Sequence, residues 1–342
     1  MARQLLRLTR FVLCTILVVT VLMTIMVDGP NQDTQHLGLI VQEEQQDNRS
    51  NPELGVWLYR GSDFITHEDG RENVEEMQLL FLTRKKFMNR VCKHEVSNRA
   101  QTVPLNHKEF LINREFKIVW CSIFKSASSS WFAYFLTLAG KNPNVRKNSE
   151  VELARKTAYP RPSMQDLQEV LNDPSYTSFV ILREPFQRIL SSYLDKIAGK
   201  EERYYHSVRC KMTKQKRRTS KPCFPTFPQY VDYILEQYAA GKMLDEHWQP
   251  YTLFCSLCQV NFTYVLAFEN IAEEQNFLLN HVEGLQNYPL KHEHSSEHNY
   301  SAQVREHYSQ LSRAQLDGLV DIYKDDFLIS GHSWIEYYEY IQ

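Results

Sequence analysis

Residues 116–140 read FKIVWCSIFKSASSSWFAYFLTLAG, and this stretch decides the fold class of the chain. Its first part, Phe116–Phe124, is an apolar run of strand length. Residues 129–139 then place large apolar side chains at helical spacing and stop before Gly140, a residue that favours the end of a helix. The stretch predicts a buried strand, a polar turn and a helix with an apolar face made of Trp131, Phe132, Phe135, Leu138 and Ala139.

A second unit of the same form follows. Phe179–Leu182 predicts a buried strand, and Pro185 suits the first turn of the next helix. The apolar face of that helix consists of Phe186, Ile189, Leu190, Tyr193, Leu194 and Ile197. Near the end of the chain, Ser312 and Gln315 form a capping box that opens a helix with inward-facing Leu316, Leu319, Val320 and Tyr323. Alternating strands and helices predict an α/β domain with a central, mainly parallel sheet flanked by helices.

The composition narrows the class of protein. The chain has 342 residues, of which 43% are hydrophobic and 23% charged, as is typical of a folded globular protein. Lys and Arg number 39 against 41 Asp and Glu, for a net charge of −2. Proteins that bind nucleic acid in general are usually basic, so this balance disfavours nucleic acid as a partner.

The N-terminus predicts a membrane anchor. Residues 11–27 form an uncharged apolar run that spans roughly 25 Å as a helix. Arginines precede the run, so we expect residues 1–10 in the cytosol and the rest in the lumen. A cleaved signal peptide is the alternative, but its apolar region would be about 7–15 residues long and end in small residues. Polar residues 28–74 predict a lumenal stem, and 75–342 the folded domain.

Two further features favour a lumenal body. Three glycosylation sequons follow the anchor, at Asn48, Asn261 and Asn299. Six of the seven cysteines lie in the body, enough for up to three disulfides in an oxidising compartment. Cys255 and Cys258 are spaced as half a zinc site or a redox pair, but no second such motif occurs, so a structural disulfide role is favoured.

The turn after the first strand, residues 124–131 (the first turn), carries Lys125 and four serines directly before a helix. Hydroxyls, one cation and free helix N–H groups suit a bound phosphate. The turn is not a Walker A loop, because it has no glycine and its lysine comes too early. A serine-rich connection with an exposed lysine is the alternative.

Residues 183–191 (the second turn) place Arg183 at the end of the next strand. Helical spacing puts Arg188, Ser191 and Asp195 opposite the apolar face of the following helix. Arg183 and Ser191 suit a second phosphate, although a salt bridge and a solvated serine explain them equally well. Two such turns at successive strand ends favour a ligand with two separated phosphates.

The two turns together resemble the nucleotide-binding signatures of Golgi carbohydrate sulfotransferases, which use 3′-phosphoadenosine-5′-phosphosulfate (PAPS). Similarity extends over roughly residues 75–335, and the downstream motifs are similar to the branch that includes chondroitin 4-sulfotransferases and the HNK-1 sulfotransferase. These motifs are Glu246-His247-Trp248, Cys255-Ser-Leu-Cys258, Phe268-Glu-Asn and Tyr323-Lys-Asp-Asp-Phe327. The resemblance implies a P-loop-like sulfotransferase fold. Phe124 departs from the family, which usually has proline there.

The resemblance also implies a role for each site residue. Lys125 is expected to be catalytic and to neutralise charge on the 5′-phosphate side. The rest of the 5′-phosphosulfate loop consists of Ser126, Ala127, Ser128, Ser129, Ser130 and Trp131, and the 3′-phosphate site of Arg183, Arg188 and Ser191. His247 is the expected general base, with Glu246 or Asp245 as alternatives. The chemistry requires no metal.

The expected acceptor is a glycan. The first choice for the sulfated position is the 4-O position of N-acetylgalactosamine in chondroitin or dermatan. The second choice is glucuronic acid or terminal N-acetylgalactosamine on N-glycans. The resemblance implies a single-pass type II protein of the Golgi membrane. The basic stretch 211–221 suits a polyanionic glycosaminoglycan, or is a solvated loop closed by a Cys210–Cys223 pair.

Two rival functions remain. His294-Ser-Ser-Glu-His298 matches a zinc-peptidase pattern, with His292 as a further ligand, but its polar context lacks the apolar stripe of a helix. The other rival is a lumenal glycan-binding protein that kept the fold and lost catalysis.

Overall fold

Four strands form one sheet at the centre of the part of the chain that the structure describes. β1 (Phe110–Asn113) runs antiparallel to β2 (Ile118–Cys121). β2 is parallel to β3 (Thr177–Leu182), which is parallel to β4 (Tyr264–Ala267). The carboxyl ends of β2, β3 and β4 therefore meet at one edge of the sheet. The predicted mainly parallel sheet is confirmed.

The computed structural model describes residues 74–97, 102–143, 150–198, 203–214, 223–290 and 300–341. All of them belong to one compact unit, residues 52–342. The predicted cytosolic tail, the anchor, the stem up to residue 73 and the sequons at Asn48 and Asn299 lie outside the described residues, as do His292, His294 and His298. No helix within the described ranges is long and apolar enough to cross a membrane.

Helices flank the sheet, and α1 and α9 pack against β4. The described helices are α1 (Val74–His94), α2 (Ser128–Leu138), α3 (Glu150–Thr157), α4 (Met164–Asn172), α5 (Pro185–Ser192), α6 (Arg203–Met212), α7 (Phe227–Ala239), α8 (Tyr251–Phe254), α9 (Ile271–His281), α10 (Tyr300–Tyr308) and α11 (Arg313–Ser330).

β2 is shorter than the strand predicted over Phe116–Phe124. The amide of Ile123 donates to the carbonyl of Cys121 at 3.0 Å, which bends the chain away from the sheet at the end of β2. Phe124 therefore lies in the loop and not in the strand. The ladder ends where this local hydrogen bond replaces a bond to the neighbouring strand.

The predicted helices are confirmed with small shifts. α2 ends just before Gly140, which has a left-handed φ of 65° as expected of a helix stop. α5 begins at Pro185 and continues into a π-helical turn, Tyr193–Ile197. The capping box of Ser312 and Gln315 opens α11.

Three disulfides link the described residues: Cys92–Cys258, Cys121–Cys255 and Cys210–Cys223. Cys255 and Cys258 thus bond to distant partners, which confirms their structural role over the zinc and redox alternatives. Cys121 is the last residue of β2, so its disulfide anchors the sheet edge to the end of α8. Cys210–Cys223 closes the basic stretch, of which residues 215–221 lie outside the described part.

The buried side chains form two large clusters. One surrounds the sheet and includes Trp120 and Phe179; the other lies among α5, α7, α10 and α11 and includes Phe186 and Tyr323. Because β3 ends in the first cluster and α5 starts in the second, residues 183–185 join them. At the opposite end of the parallel strands, Asn261, the asparagine of a predicted sequon, is exposed just before β4.

Candidate active site

The first turn holds two residues in the left-handed backbone region. Lys125 has a φ of 70° and Ala127 a φ of 57°. Away from glycine this conformation costs about 1–3 kcal/mol per residue, and such strain clusters at ligand-binding sites. When left-handed and right-handed backbone conformations alternate along a loop, successive backbone N–H groups point to the same side, as in loops that bind anions. The turn thus reaches an anion-binding type of backbone without any glycine.

The N-terminus of α2 is open to an anion. Ala127 occupies the capping position and has no side-chain oxygen to accept from the first N–H groups of the helix. Ser126 is only 1% exposed, and its Oγ meets no hydrogen-bond partner among the described residues. Ser128 and Ser130 are also buried, whereas Ser129 is exposed. A buried hydroxyl without a partner is costly, so Ser126 fits a site completed by a ligand.

Lys125 is paired with a carboxylate from beyond α5. Its Nζ lies 3.1 Å from Oδ2 of Asp195, which also lies 3.3 Å from Nζ of Lys196. Burial lowers the pKa of Lys125, and Asp195 opposes that change. Burial favours the neutral form of Asp195, but the two lysines outweigh it and lower the pKa of this carboxyl to about 2. The ion pair with Asp195 therefore favours the charged form of Lys125 against the effect of burial.

Arg183 joins the two turns. Its Nη1 donates to the backbone carbonyl of Lys125 at 2.9 Å. Its guanidinium lies between two aromatic rings, 4.3 Å from the centroid of Phe268 and 5.0 Å from that of Tyr300. The Nε atom is buried and meets no partner within the described residues. The rings fix the plane of the guanidinium and leave donor capacity for an oxyanion.

The helix after Arg183 differs from α2 at its start. The side chain of Glu184 caps α5 by accepting from the amide of Gln187. Burial raises the pKa of Glu184 to about 8, so this carboxyl is mostly protonated at neutral pH and adds little repulsion toward an anion at Arg183. The capped N-terminus of α5 is therefore less suited to an anion than the guanidinium of Arg183.

The helical-wheel prediction for α5 gives the side of each residue but not its burial. Ser191 and Asp195 are partly exposed on the side opposite the apolar face. Arg188 was predicted on that side too, but it is 1% exposed, because another segment covers this part of the helix. Its Nη1 donates to the carbonyl of His247 at 3.1 Å, and its Nη2 donates to the carbonyl of Gln249. The reason is that buried carbonyls of a neighbouring segment satisfy the guanidinium, which the spacing along α5 cannot reveal.

His247 lies against the first turn. Its ring centroid is 4.6 Å from that of Phe124, the residue that departs from the family pattern. Nδ1 lies 2.8 Å from Oδ1 of Asp245 and 2.9 Å from the hydroxyl of Tyr205. Because a carboxylate only accepts, Nδ1 carries the proton and Nε2 is left as the acceptor. This is the arrangement of a general base oriented by an acid.

Of the other two candidate bases, Asp245 has its oxygens occupied by hydrogen bonds. Asp245 accepts from both the ring and the backbone amide of His247, and the Tyr205 hydroxyl lies 3.3 Å from each of its oxygens. Burial raises the pKa of Glu246, and His247 beside it opposes that change. The geometry therefore favours His247 as the base and Asp245 as the group that orients it.

Trp131 occupies the core beneath the first turn. It is 0% exposed, and its ring centroid lies 4.6 Å from that of Phe179 in β3. Its contacts are thus with the sheet. Ser191 lies on α5, and no hydrogen bond joins it to Arg183 in the described part of the chain.

Comparison with known proteins places this site in a family. Residues 108–331 match the model of the sulfotransferase family. Human carbohydrate sulfotransferase 8 is 27% identical over 264 residues, which cover 73% of this chain and 62% of that protein. Carbohydrate sulfotransferase 10 of Xenopus laevis is 24% identical, covering 74% of this chain and 76% of its own.

Carbohydrate sulfotransferase 11 of Rattus norvegicus is 22% identical, with 69% of this chain and 70% of that protein covered. No solved structure matches the chain significantly. The family match spans both turns, the three parallel strands and the His247 region. The chain belongs to the sulfotransferase family, and its predicted resemblance to carbohydrate sulfotransferases is confirmed.

Proposed function

We propose that this protein is a carbohydrate sulfotransferase that moves a sulfonate group from PAPS to a hydroxyl of a glycan. The observation that carries the proposal is the 2.9 Å hydrogen bond from Arg183 to the carbonyl of Lys125. It holds two anion-ready turns side by side at the carboxyl ends of parallel strands, where α/β sheets bind nucleotides. Family membership and the names of the relatives support the same reaction.

The residues present fit a sulfonate donor that carries two phosphate groups. Each turn contains buried hydrogen-bond donors without partners among the described residues: Ser126 Oγ and Trp131 Nε1 in the first turn, and Nε of Arg183 and of Arg188 in the second. We assign Ser126, Ser128, Ser129, Ser130 and the N–H groups at the start of α2 to the 5′-phosphosulfate, and Arg183 with Ser191 to the 3′-phosphate. This assignment does not include Arg188 among the residues that bind PAPS. Trp131 packs beneath the first turn and supports it.

Bound PAPS would supply an activated sulfonate with a phosphate leaving group. Sulfonate transfer, like phosphoryl transfer, depends mainly on positioning and on stabilising charge at the leaving oxygen. Lys125 supplies that stabilisation: its ammonium moves from Asp195 to the 5′-phosphate side. The carboxylate of Asp195, with its lowered pKa, keeps Lys125 protonated until then.

We assign His247 the role of general base. Nε2 takes the proton of the acceptor hydroxyl as its oxygen bonds to sulfur, and Asp245 stabilises the imidazolium that results. The ring contact with Phe124 sets His247 beside the first turn, so base and lysine face the reacting group from neighbouring segments.

We propose a glycan of the chondroitin or dermatan class as the acceptor, modified at the 4-O position of N-acetylgalactosamine. Support comes from the motifs Glu246-His247-Trp248 and Tyr323-Lys-Asp-Asp-Phe327, which resemble the chondroitin 4-sulfotransferase branch. Glucuronic acid and terminal N-acetylgalactosamine on N-glycans are the second choice. We further propose a type II orientation in the Golgi membrane through residues 11–27, with Asn48, Asn261 and Asn299 glycosylated.

The test is transfer of radiolabelled sulfonate by the full chain, purified in detergent. Acceptors are desulfated chondroitin, dermatan, heparosan and an N-glycan with terminal N-acetylgalactosamine. We expect label in chondroitin or dermatan, and loss of transfer in Lys125→Ala and Arg183→Ala. Arg114→Ala, which removes an exposed ion-pair residue far from the two turns, is the matched control and retains transfer.

Two results would change the assignment. Binding of PAP, the desulfated product, without transfer to any acceptor favours the inactive glycan-binding protein. Absence of PAP binding overturns the sulfotransferase proposal, and stoichiometric zinc in the same preparation would point to the peptidase pattern at His294–His298 instead.

A further inference from the structure

Arg188 stands out because the site built above does not use it. An arginine side chain is always charged, yet this one is only 1% exposed. It lies at the sheet edge where the two turns meet. Both of its terminal nitrogens donate to backbone carbonyls: Nη1 to His247 at 3.1 Å and to Phe124 at 3.5 Å, and Nη2 to Gln249. A single guanidinium thus links the first turn to the segment that carries the base.

The same segment, residues 247–252 (the histidine segment), is bound from a second side by α11. The hydroxyl of Tyr323 donates to the carbonyl of Trp248. The carboxylate of Asp326 accepts from the amides of Tyr251 and Thr252 at 2.8 and 2.9 Å. Three consecutive carbonyls and two amides of the segment are therefore bound by only three side chains.

These bonds involve charged groups in the interior. Asp326 is 0% exposed, and the Arg188 guanidinium lies 5.6 Å from the ring centroid of Tyr251. Hydrogen bonds to charged groups are stronger than neutral ones and are directional, so they fix a backbone more tightly than apolar packing does. Such a network specifies one position of the segment relative to the first turn.

We propose that Arg188 is a positioning residue for His247 and not a ligand of the nucleotide. Resting on the proposed function, this inference gives Arg188, Tyr323 and Asp326 one shared role, which is to hold the base at the distance from the first turn that the transfer requires. Tyr323 and Asp326 belong to the Tyr-Lys-Asp-Asp-Phe motif, so the inference also explains that motif in physical terms. The acceptor reaction depends on the network, whereas donor binding does not.

The test separates donor binding from turnover. In Arg188→Lys, a single ammonium group replaces the guanidinium and its two terminal nitrogens, so the carbonyls of His247 and Gln249 lose their shared donor. We expect the Kd for PAP to stay within about twofold of wild type while kcat falls about 10- to 100-fold, the loss typical of a misplaced catalytic group. In the matched Arg183→Lys, we expect the Kd for PAP to rise at least about tenfold, because a bidentate phosphate donor is lost.

Tyr323→Phe provides an independent variant, since it removes one hydroxyl and keeps the ring in the core. It should lower kcat several-fold and leave the Kd for PAP unchanged. Thermal unfolding with PAP monitors folding of both variants. If Arg188→Lys does not fold, Tyr323→Phe decides.

Either of two results overturns the inference. A loss of PAP affinity in Arg188→Lys equal to that of Arg183→Lys would make Arg188 a phosphate ligand. An unchanged kcat in a folded Arg188→Lys, or in Tyr323→Phe, would show that the network does not position the base. Wild-type protein that binds PAP but transfers nothing contradicts the proposed function instead, and the two failures are therefore distinguishable.

Discussion

The first turn and the histidine segment meet at one edge of the sheet but are built in opposite ways. The first turn has two left-handed residues, an uncapped helix and a buried serine hydroxyl without a partner in the described chain. In the histidine segment, three side chains bind the carbonyls of residues 247, 248 and 249 and the amides of residues 251 and 252.

The difference separates binding from positioning. A loop with unmet donors gains stability when an anion arrives, since a ligand then satisfies groups that folding left unpaired. A segment whose backbone groups are already bonded has no such gain at its backbone, and it serves to keep one side chain in place. The first turn thus has the properties of a donor site, and the histidine segment those of a support for the base.

The largest effect is expected from removal of the base. His247→Ala should lower kcat by about 10²–10⁴-fold, the range for general base catalysis, and leave the Kd for PAP nearly unchanged. Steady-state kinetics together with calorimetric titration of PAP check this. A similar loss in PAP affinity would place His247 in the donor site and break the comparison.

Next comes the cation of the first turn. Lys125→Met should lower kcat by about 10²–10³-fold, the cost of losing one preorganised group at a developing charge. It should also weaken PAP binding, in contrast to His247→Ala. Activity of Lys125→Met within tenfold of wild type would contradict the assigned role.

The Asp195 pair gives a smaller, pH-dependent effect. The pKa of this carboxyl is lowered to about 2, so the ion pair with Lys125 stabilises the folded protein above the ordinary value of 3.8 and loses this contribution as pH falls through 2. Because the Asp195 side chain is 30% exposed and partly screened by water, we expect the ion pair to add about 1–2 kcal/mol to the free energy of unfolding at pH 6.

Urea unfolding of wild type and Asp195→Asn between pH 2 and 7 measures this contribution. The difference in unfolding free energy should be constant from pH 7 to about 5 and should shrink as pH falls from about 4 to 2. A difference independent of pH would show that Asp195 acts through packing and not through charge.

The smallest effect concerns backbone strain. Ala127→Gly should leave stability unchanged or raise it by up to about 1 kcal/mol, because glycine adopts the left-handed conformation without steric cost. Ala133→Gly, in the middle of α2, is the matched control and should destabilise by about 0.5–1 kcal/mol. Thermal unfolding of both variants checks the contrast, and equal destabilisation would argue against strain at Ala127.

Periodicity and local signals predicted much of the fold. The strand–turn–helix units at Phe116 and Phe179, the capping box at Ser312 and the stop at Gly140 all depend on neighbouring residues, and each is confirmed. The end of β2 was placed too late because a hydrogen bond within the loop, and not hydrophobicity, ends the strand. The partners of Cys92 and Cys121 lie more than 130 residues away and could not be paired in advance, whereas the local Cys210–Cys223 pair was among the alternatives.

The candidate site was predictable only where its residues lie at strand ends. Lys125 and Arg183 lie together as the parallel sheet requires. Tyr205 and Tyr300 were not predicted as site residues, and Phe268 was named only as part of a family motif, since contacts across long separations leave no local pattern. The burial of Arg188 was missed for the same reason: distant carbonyls cover and bind it.

The most direct test of the central claim, that the two turns bind the two phosphates of one nucleotide, is a comparison of PAP with adenosine 5′-phosphate by calorimetric titration. Wild type should bind PAP at least about tenfold more tightly, since only PAP carries the 3′-phosphate that pairs with Arg183. In Arg183→Ala this preference should disappear while affinity for adenosine 5′-phosphate is kept. Equal affinity of wild type for both nucleotides, or a preference that survives in Arg183→Ala, would contradict the account.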